Sequence, residues 1–180
     1  MKLLAASLAT ALTLAFSAQA ADVTAKLSEV HLCCKKCVAG VEKAVGKVDG
    51  VKAEADKDAG TITLTGADNE TVQKAVDELT KSGFFGKSDN ADIKVRGRTG
   101  ARGAGKQMDK MEVEGVHLCC DKCVTTLNDA LKDVSGVKAN TAAKGVKLFE
   151  ITGDFNDKDV FTALHKAGFN GKEVKAPAAQ

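Results

Sequence analysis

The sequence contains no tryptophan and no tyrosine, so phenylalanine supplies every aromatic ring among its 180 residues. Few side chains can therefore stack on nucleic-acid bases. Neither charge dominates, because 26 lysines and arginines stand against 24 acidic residues, a formal net charge of +2. A nearly neutral chain has no general attraction for nucleic acid or for an anionic membrane. We therefore expect no nucleic-acid partner.

Signatures of catalysis are also missing. No glycine-rich phosphate loop follows a predicted strand, and no hydrolase or kinase motif occurs. Proline is found once, at Pro177 near the C-terminus. We expect a protein that is not an enzyme.

Residues 1–20 have the pattern of a cleavable export signal. Lys2 supplies a positive start, residues 3–16 are apolar, and Ala18-Gln19-Ala20 forms a small-x-small cleavage site. The apolar stretch is short for a membrane span, which needs about 20 residues; an uncleaved anchor is the alternative. We expect a periplasmic or secreted protein that begins near Ala21 and has no membrane span in its mature chain.

All six cysteines lie in two short segments that are almost identical. Residues 30–38 and 116–124 both read Val-His-Leu-Cys-Cys-x-Lys-Cys-Val, and they differ only where Lys35 stands against Asp121. Three thiols and one imidazole so close together are the ligands that a soft metal ion prefers. Disulfides are usual after export, but these bunched cysteines would close almost no loop and are odd in number in each copy. The pattern favours metal ligation.

The repeat extends well beyond the cysteines. Gly50-Val51-Lys52-Ala53 recurs as Gly136-Val137-Lys138-Ala139, and Gly83-Phe84 recurs as Gly168-Phe169. Two copies of this size predict a tandem domain pair and not a solenoid. The predicted organisation is a signal peptide (1–20), a first domain (21–95), a flexible, basic, glycine-rich linker (96–107), a second domain (108–175) and a tail (176–180).

Within each copy, apolar residues recur every second residue in some segments, which indicates strands, and every 3.6 residues in others, which indicates helices. The segments follow one another in the order βαββαβ. This order predicts an α+β class fold, with two tandem ferredoxin-like domains that each carry an antiparallel sheet and two helices on one face. In the first copy we expect Asn69 to cap the second helix, and Ile93 and Val95 to lie in the last strand. In the second copy a change of phase predicts a β-bulge at residues 147–149.

These features together resemble the heavy-metal-associated domain family, and the resemblance covers nearly all of both repeats. Residues 34–37 and 120–123 match the family's Cys-x-x-Cys pair between the first strand and the first helix. The Gly-Val after the first helix and the Gly-Phe after the second also match. The resemblance implies a soft-metal site in each domain, as in copper chaperones, copper-exporting ATPases and a periplasmic mercury-binding protein.

Each loop departs from the usual family pattern, Gly-Met-Thr-Cys-x-x-Cys, at three positions. Leucine replaces the buried methionine, cysteine replaces threonine, and histidine replaces glycine. A third thiol and an imidazole make three-coordinate copper(I), or four-coordinate zinc or cadmium, more plausible than linear copper(I). The candidate metal ligands are Cys34, Cys37, Cys120 and Cys123, together with Cys33, Cys119, His31 and His117.

Some of these residues have alternative roles. Cys33 and Cys119 could be buried as small apolar residues, and the two histidines could be exposed loop residues. Cys37 and Cys123 should begin a helix, whose positive end lowers a thiol pKa. Asp121 removes positive charge from the second loop, so we expect similar but unequal affinities.

Three further residues have simpler interpretations. We expect His165 to lie on a helix surface. We expect Phe84 and Phe169 to shield the site by packing, without contacting the metal as ligands.

The sequence leaves three functions open. The first is a protein that sequesters or transfers copper(I), mercury, zinc or cadmium, with copper(I) or zinc favoured, and whose partner is a metal transporter or another metal-binding protein. The second is a thiol-disulfide redox protein, since Cys-x-x-Cys at a helix start also suits redox chemistry; the lack of an aromatic before the motif and of a later cis-proline speaks against it. The third is a binding module with disulfide-locked cysteines.

Overall fold

The computed structural model describes residues 22–97 and 103–174, and these form two units with the same order of elements. The elements of the first unit are β1 (Val23–Ser28), α1 (Lys35–Val45), β2 (Val51–Asp56), β3 (Thr61–Gly66), α2 (Asn69–Lys81) and β4 (Lys87–Ser88). Those of the second are β5 (Gln107–Glu114), α3 (Asp121–Lys132), β6 (Val137–Asn140), β7 (Leu148–Asn156), α4 (Asp157–Lys166) and β8 (Lys172–Val174).

Each unit contains a four-stranded antiparallel sheet. The strand order is β2-β3-β1-β4 in the first unit and β6-β7-β5-β8 in the second. In each unit the two helices contact each other and the sheet. This arrangement confirms the predicted pair of ferredoxin-like domains.

The helix after each cysteine loop is fixed by an apolar stripe on its inner side. In α1, Cys37, Val41 and Val45 are buried at helical spacing, and in α3 Cys123, Leu127 and Leu131 occupy the same positions. Burying such a stripe supplies most of the stability of a short helix. The third cysteine of each loop is therefore anchored in the core, and it fixes where the other thiols lie.

The predicted β-bulge is in the wrong place. Strands β5 and β7 pair in steady register from Lys110↔Thr152 to Glu114↔Leu148, and the register shifts only between Met108 and Lys110. Between these two positions β7 has two residues, Gly153 and Asp154, opposite the single residue Asp109, so it carries one extra residue. The φ of Gly153 is 154°, which is easy only for glycine. Val146 lies before the start of β7 at Leu148, so its position does not indicate which face of the sheet the strand residues occupy.

The last strand of the first unit was also placed too late. Lys87–Ser88 pairs with β1, whereas Ile93 is buried outside any strand. The side chain of Gln73 holds this segment instead, since its Nε2 donates to the Lys94 carbonyl and its Oε1 accepts from the Lys94 amide, both at 2.8 Å. Ile93 and Val95 alternate with polar residues as they would in a short strand, so the sequence pattern alone does not distinguish a strand from a segment held by a side chain.

The cap of α2 was assigned one residue too late. Asp68 has extended backbone angles, and its carboxylate accepts a hydrogen bond from the Thr71 amide at 2.7 Å. Asn69 is already the first helical residue. Both residue types are good N-caps, so composition could not distinguish them.

The end of the predicted linker is fixed by one carboxylate. The backbone amides of Ala104, Gly105 and Lys106 donate to Asp157 at 2.6–2.8 Å, and Asp157 is only 1% exposed. Strand β5 begins at Gln107, inside the predicted linker. Residues 98–102 lie outside the described residues, so linker flexibility stays a prediction there.

The predicted signal peptide (1–20) and the predicted tail (176–180) lie outside the described residues. Within the described ranges, no helix has the length and apolar character needed to cross a membrane.

Candidate metal centre

Each cysteine loop leads from an inner strand of its sheet, β1 or β5, into a helix N-terminus. Cys34 and Cys120 are the N-cap residues of α1 and α3, and both have extended backbone angles. The amides of Cys37 and Cys123 bond back to the N-cap carbonyls at 3.0 and 3.1 Å. The fourth residue of each Cys-x-x-Cys pair therefore lies in the first helical turn, as predicted.

The two units meet through the Gly-Phe segments after α2 and α4. Phe84 and Phe169 form an antiparallel bridge. The Asn170 amide donates to the Gly83 carbonyl at 2.9 Å, and the Phe85 amide donates to the Gly168 carbonyl at 3.1 Å. Backbone hydrogen bonds between the units thus set their relative register.

Glycine is needed where the two chains approach most closely. Gly83 and Gly168 both have positive φ, at 92° and 79°. A Cβ on Gly83 would lie 2.4 Å from the amide nitrogen of His117, and one on Gly168 would lie 2.3 Å from that of His31. Each unit therefore packs the glycine that follows its second helix against the other unit's cysteine loop.

This contact brings all six sulfur atoms into one cluster. Three of them form a triangle in which Cys33 lies 3.3 Å from Cys120 and 3.5 Å from Cys123, while Cys120 and Cys123 are 3.8 Å apart. The other three form a second triangle, in which Cys34–Cys37, Cys34–Cys119 and Cys37–Cys119 are 3.9, 3.7 and 3.6 Å apart. Each triangle takes two cysteines from one unit and one from the other.

The triangles face each other across similar gaps. Cys33–Cys37, Cys34–Cys120 and Cys119–Cys123 join them at 3.7, 3.9 and 3.8 Å. All six are free thiols, since these separations far exceed a disulfide bond of about 2.05 Å. Two thiolates on one tetrahedral ion, with metal–sulfur bonds of about 2.3 Å, lie about 3.8 Å apart. The sulfur spacing therefore fits shared metal ligation.

The two loop histidines lie beside the cluster. The Nε2 atoms of His31 and His117 are buried and have no hydrogen-bond partner within the described residues. Buried polar atoms normally have a partner, so each such atom calls for an explanation. Groups with ligand atoms within 4.8 Å of one another include His31 with Cys33 and Cys123, and His117 with Cys37 and Cys119. A metal ion bound in each of these two groups would give each histidine nitrogen a partner.

Phenylalanine rings fix the orientation of these imidazoles. His31 packs on Phe169 and His117 on Phe84, each with ring centroids 4.5 Å apart. Gly40 in α1 leaves room for His117, because a Cβ there would lie 2.9 Å from the imidazole Cε1. The phenylalanines thus pack over the site as predicted, but each covers the loop of the other unit.

The cluster has a buried floor and an accessible rim. Cys37 and Cys123 are fully buried, and Leu32 and Leu118 are each only 4% exposed. The other four cysteines are only partly buried. An ion could therefore be reached by an incoming ligand at the rim while the floor holds the helix ends in place.

Thiol acidity is distributed unevenly over the cluster. The contact with Cys123, aided by those with His117 and Cys119, lowers the pKa of Cys37 far below its ordinary value. The contact with Cys37 raises the pKa of Cys123, because the hydrogen bond that stabilises a thiolate at Cys37 needs the proton of Cys123. Burial, followed by the contact with Cys120, raises the pKa of Cys33 to about 12. The thiols around it stabilise one buried thiolate at Cys37.

Cys120, one of the two rim cysteines of the second unit, has a lowered pKa. Burial alone would raise the pKa of Cys120, but the Cys123 amide and neighbouring groups lower it to about 6. Burial lowers the pKa of His31, which favours the neutral imidazole that binds metal. Both shifts suit ligation near neutral pH.

His165 was wrongly assigned to a plain helix surface. Its ring stacks on Phe85 of the first unit with centroids 3.8 Å apart, and its Nε2 lies 3.1 Å from Asn170 Oδ1. Asn170 is fully buried and donates through Nδ2 to the Thr80 carbonyl at 2.8 Å. When the two copies are aligned at Gly83 and Gly168, Thr80 aligns with His165 and Phe85 with Asn170, so both contacts use positions where the copies differ.

No protein-family model matches the chain. No curated protein matches it either. Among solved structures, the N-terminal soluble domains of Bacillus subtilis CopA share 16% identity, with 86% of this chain and 95% of that chain covered and a TM-score of 0.28. The first two RRM domains of yeast poly(U) binding protein (Pub1) share 11% identity, with 86% and 100% covered and a TM-score of 0.23. Scores this low carry no argument about function.

Proposed function

We propose that this protein is a soft-metal-binding protein that sequesters or hands over its ion through one joint thiol centre and catalyses no reaction. The observation that supports this most directly is the convergence of six free thiols, from two loops far apart in the chain, at spacings suited to a shared ion. Soft thiolates select copper(I), zinc and related ions over hard cations. Copper(I) or zinc is the favoured cargo, with mercury and cadmium in the same class.

The fold and the position of the cysteine pairs support a second part of the proposal. A βαββαβ unit with Cys-x-x-Cys at the start of its first helix is what the resemblance to the heavy-metal-associated family implies. We propose that the chain is a tandem pair of such domains. The added cysteine and histidine of each loop adapt the pair to act together.

The accessible rim supports transfer as well as storage. Ligand exchange needs thiols that an acceptor can reach, and Cys33, Cys34, Cys119 and Cys120 are partly exposed. The proposed acceptor is a metal transporter or another metal-binding protein. The proposed site of action is the periplasm or the exterior, where the chain would begin near Ala21.

Metal loading under anaerobic conditions tests the main proposal. Reduced protein is incubated with copper(I) or zinc(II), passed through a desalting column and analysed by native mass spectrometry. We expect bound metal in the native chain and none in a variant with all six cysteines changed to serine. Recovery of metal-free native protein with both ions would falsify the proposal.

Thiol counting distinguishes the redox alternative. Protein purified without reductant should retain six free or metal-masked thiols. A disulfide that cycles when a dithiol substrate is added would support redox chemistry instead. Amino-terminal sequencing of the protein recovered from cells would test export, since we expect the mature chain to begin at Ala21.

A further inference from the structure

The two triangles of sulfur atoms differ from the grouping that the sequence suggests. The sequence places Cys33, Cys34 and Cys37 together in one loop, which would give one ion to each unit. In the structure the sulfur of Cys33 lies 3.3 and 3.5 Å from those of Cys120 and Cys123 in the other unit, and 3.7 Å from that of Cys37 in its own. The corresponding residue, Cys119, likewise lies closer to Cys34 and Cys37 than to Cys123. The three cysteines of the first loop also lie within 4.8 Å of one another, so the division rests on the shorter contacts between the units.

The histidines are divided in the same way. His31 has its ligand atom near Cys33 and Cys123, and His117 has its ligand atom near Cys119 and Cys37. Each triangle thus acquires one imidazole, from the unit that supplies only one sulfur. Three thiolates and one imidazole complete the four-coordinate set typical of zinc-class ions.

We infer that the protein holds two ions in reciprocal sites that each span both units, an inference that rests on the proposed metal-binding function. One site consists of His31, Cys33, Cys120 and Cys123. The other consists of His117, Cys119, Cys34 and Cys37. Each ion cross-links the two units, because its ligands come from both. Removing the metal therefore weakens the association of the units.

Charge supports two divalent ions over one. A single +2 ion with four thiolate ligands would leave two negative charges at one partly buried site, which is costly. Two +2 ions, each with three thiolates and one neutral imidazole, leave about one negative charge at each site. One tetrahedral ion would also use only four of the eight ligand groups, leaving the others crowded and unpaired.

Two triple variants with equal numbers of cysteines test the division of ligands, with zinc(II) alone as the probe. The first variant, Cys33→Ser, Cys120→Ser and Cys123→Ser, keeps the complete set of Cys34, Cys37, Cys119 and His117. The second variant, Cys33→Ser, Cys34→Ser and Cys37→Ser, keeps the three cysteines of the second unit. Native mass spectrometry gives the stoichiometry, and competition with a zinc chelator gives the affinity.

We expect two zinc ions in the native chain and one tightly bound zinc ion in the first variant. The second variant should bind zinc at least about 100-fold more weakly than the first, because loss of an indirect partner alone costs up to that factor. Circular dichroism checks that both variants are folded. If the first variant is unfolded, the double variant Cys33→Ser and Cys120→Ser replaces it, since it damages one site and leaves the other complete. Its counterpart is then Cys33→Ser with Cys34→Ser, which removes one ligand from each site, and the same order of affinities is expected.

The opposite order of affinities, equal affinities, or loss of zinc from both variants would overturn the inference. So would one ion, or more than two, in the native chain. These outcomes leave the proposed function intact, because the native chain still binds metal. A native chain that binds no zinc and no copper(I) would instead remove the proposed function itself.

Discussion

The sulfur atoms of Cys33 and Cys120 lie 3.3 Å apart although 87 positions separate the two residues in the chain. They belong to different domains, and Cys120 is itself the N-cap of α3. An ion bound by this pair must therefore link both domains. The affinity of the centre depends on how the two units pack as well as on the ligands within each loop.

The close approach of Gly168 to the first loop can be tested without changing a ligand. In Gly168→Ala, the new methyl group would lie 2.3 Å from the His31 amide nitrogen, so the units must separate locally. We expect zinc binding to be at least about tenfold weaker, because disturbing the groups that support metal ligands typically lowers metal affinity by about 10- to 100-fold. Chelator competition measures the change.

Gly50→Ala is the matched control for that substitution. Gly50 has φ 79°, equal to that of Gly168, but no atom lies within 4 Å of a Cβ built there. Both variants carry similar backbone strain, about 1 kcal/mol. Equal zinc affinities in the two variants would show that the glycine contact does not hold the centre together.

The stacked pair of Phe85 and His165 should stabilise the association of the units. Their rings lie 3.8 Å apart and nearly parallel, at 7°. We expect a double-mutant cycle of Phe85→Leu and His165→Gln to give a coupling energy of about 0.5–1.5 kcal/mol. Urea denaturation of the four proteins measures it, and a coupling near zero would mean that the stack contributes nothing.

Asp157 should make stability depend on pH in the acid range. Burial would raise the pKa of its carboxyl, but the amides of residues 104–106 lower it below the ordinary value. Its contribution is therefore present above the unfolded pKa of about 3.9 and is lost as pH falls through the folded pKa. We expect Asp157→Asn to cost about 1–3 kcal/mol at pH 7.

The difference between native protein and Asp157→Asn should shrink below about pH 4. Asp159→Asn is the control, because Asp159 is an exposed residue in the first turn of the same helix. Thermal denaturation across pH 3–7 checks both variants. A constant difference over that range, or equal losses in the two variants, would contradict the role given to Asp157.

Metal should raise the stability of the folded chain. An ion that binds only the folded state at about 1,000 times its Kd adds about 4 kcal/mol. We expect zinc to raise the Tm in a concentration-dependent way, and a chelator to reverse the shift. The variant with all six cysteines changed to serine should show no shift, and a comparable rise there would place zinc binding elsewhere.

Glu29 occupies a backbone conformation that glycine adopts more easily. Its φ is 59°, and Gly115 has φ 78° at the equivalent position of the second unit. We expect Glu29→Gly to stabilise the protein by about 0.5–1 kcal/mol, since its exposed ion pair with Lys87 contributes little. Gly115→Glu should destabilise it. Urea denaturation measures both, and a loss of stability in Glu29→Gly would show that the ion pair matters more than the strain.

Local sequence determined the parts of this protein that depend on neighbouring residues. The alternation and helical spacing predicted both βαββαβ units, and the place of Cys37 and Cys123 in a first helical turn followed from the same pattern. The repeat identified all eight candidate ligands. Such features could be inferred because a helix stripe or a strand's alternation is set by residues a few positions apart.

Elements decided by contacts of a single residue were less predictable. The bulge moved to Gly153, the last strand of the first unit moved to Lys87–Ser88, and Asp68 took the cap expected at Asn69. In each case two alternative positions for the element have nearly the same local conformational free energy. Pairing with a neighbouring strand or a side-chain hydrogen bond then selects one of them.

Only the tertiary structure decided which thiols lie together. Nothing in the loop around Cys33 indicates that its nearest sulfur belongs to Cys120, because that proximity depends on Gly83 and Gly168 packing across the two units. The role of His165 likewise exists only once Phe85 lies beneath it. Contacts between residues distant in the chain arise from the shape of two folded surfaces, and a single sequence records the residues of those surfaces without recording which surface meets which.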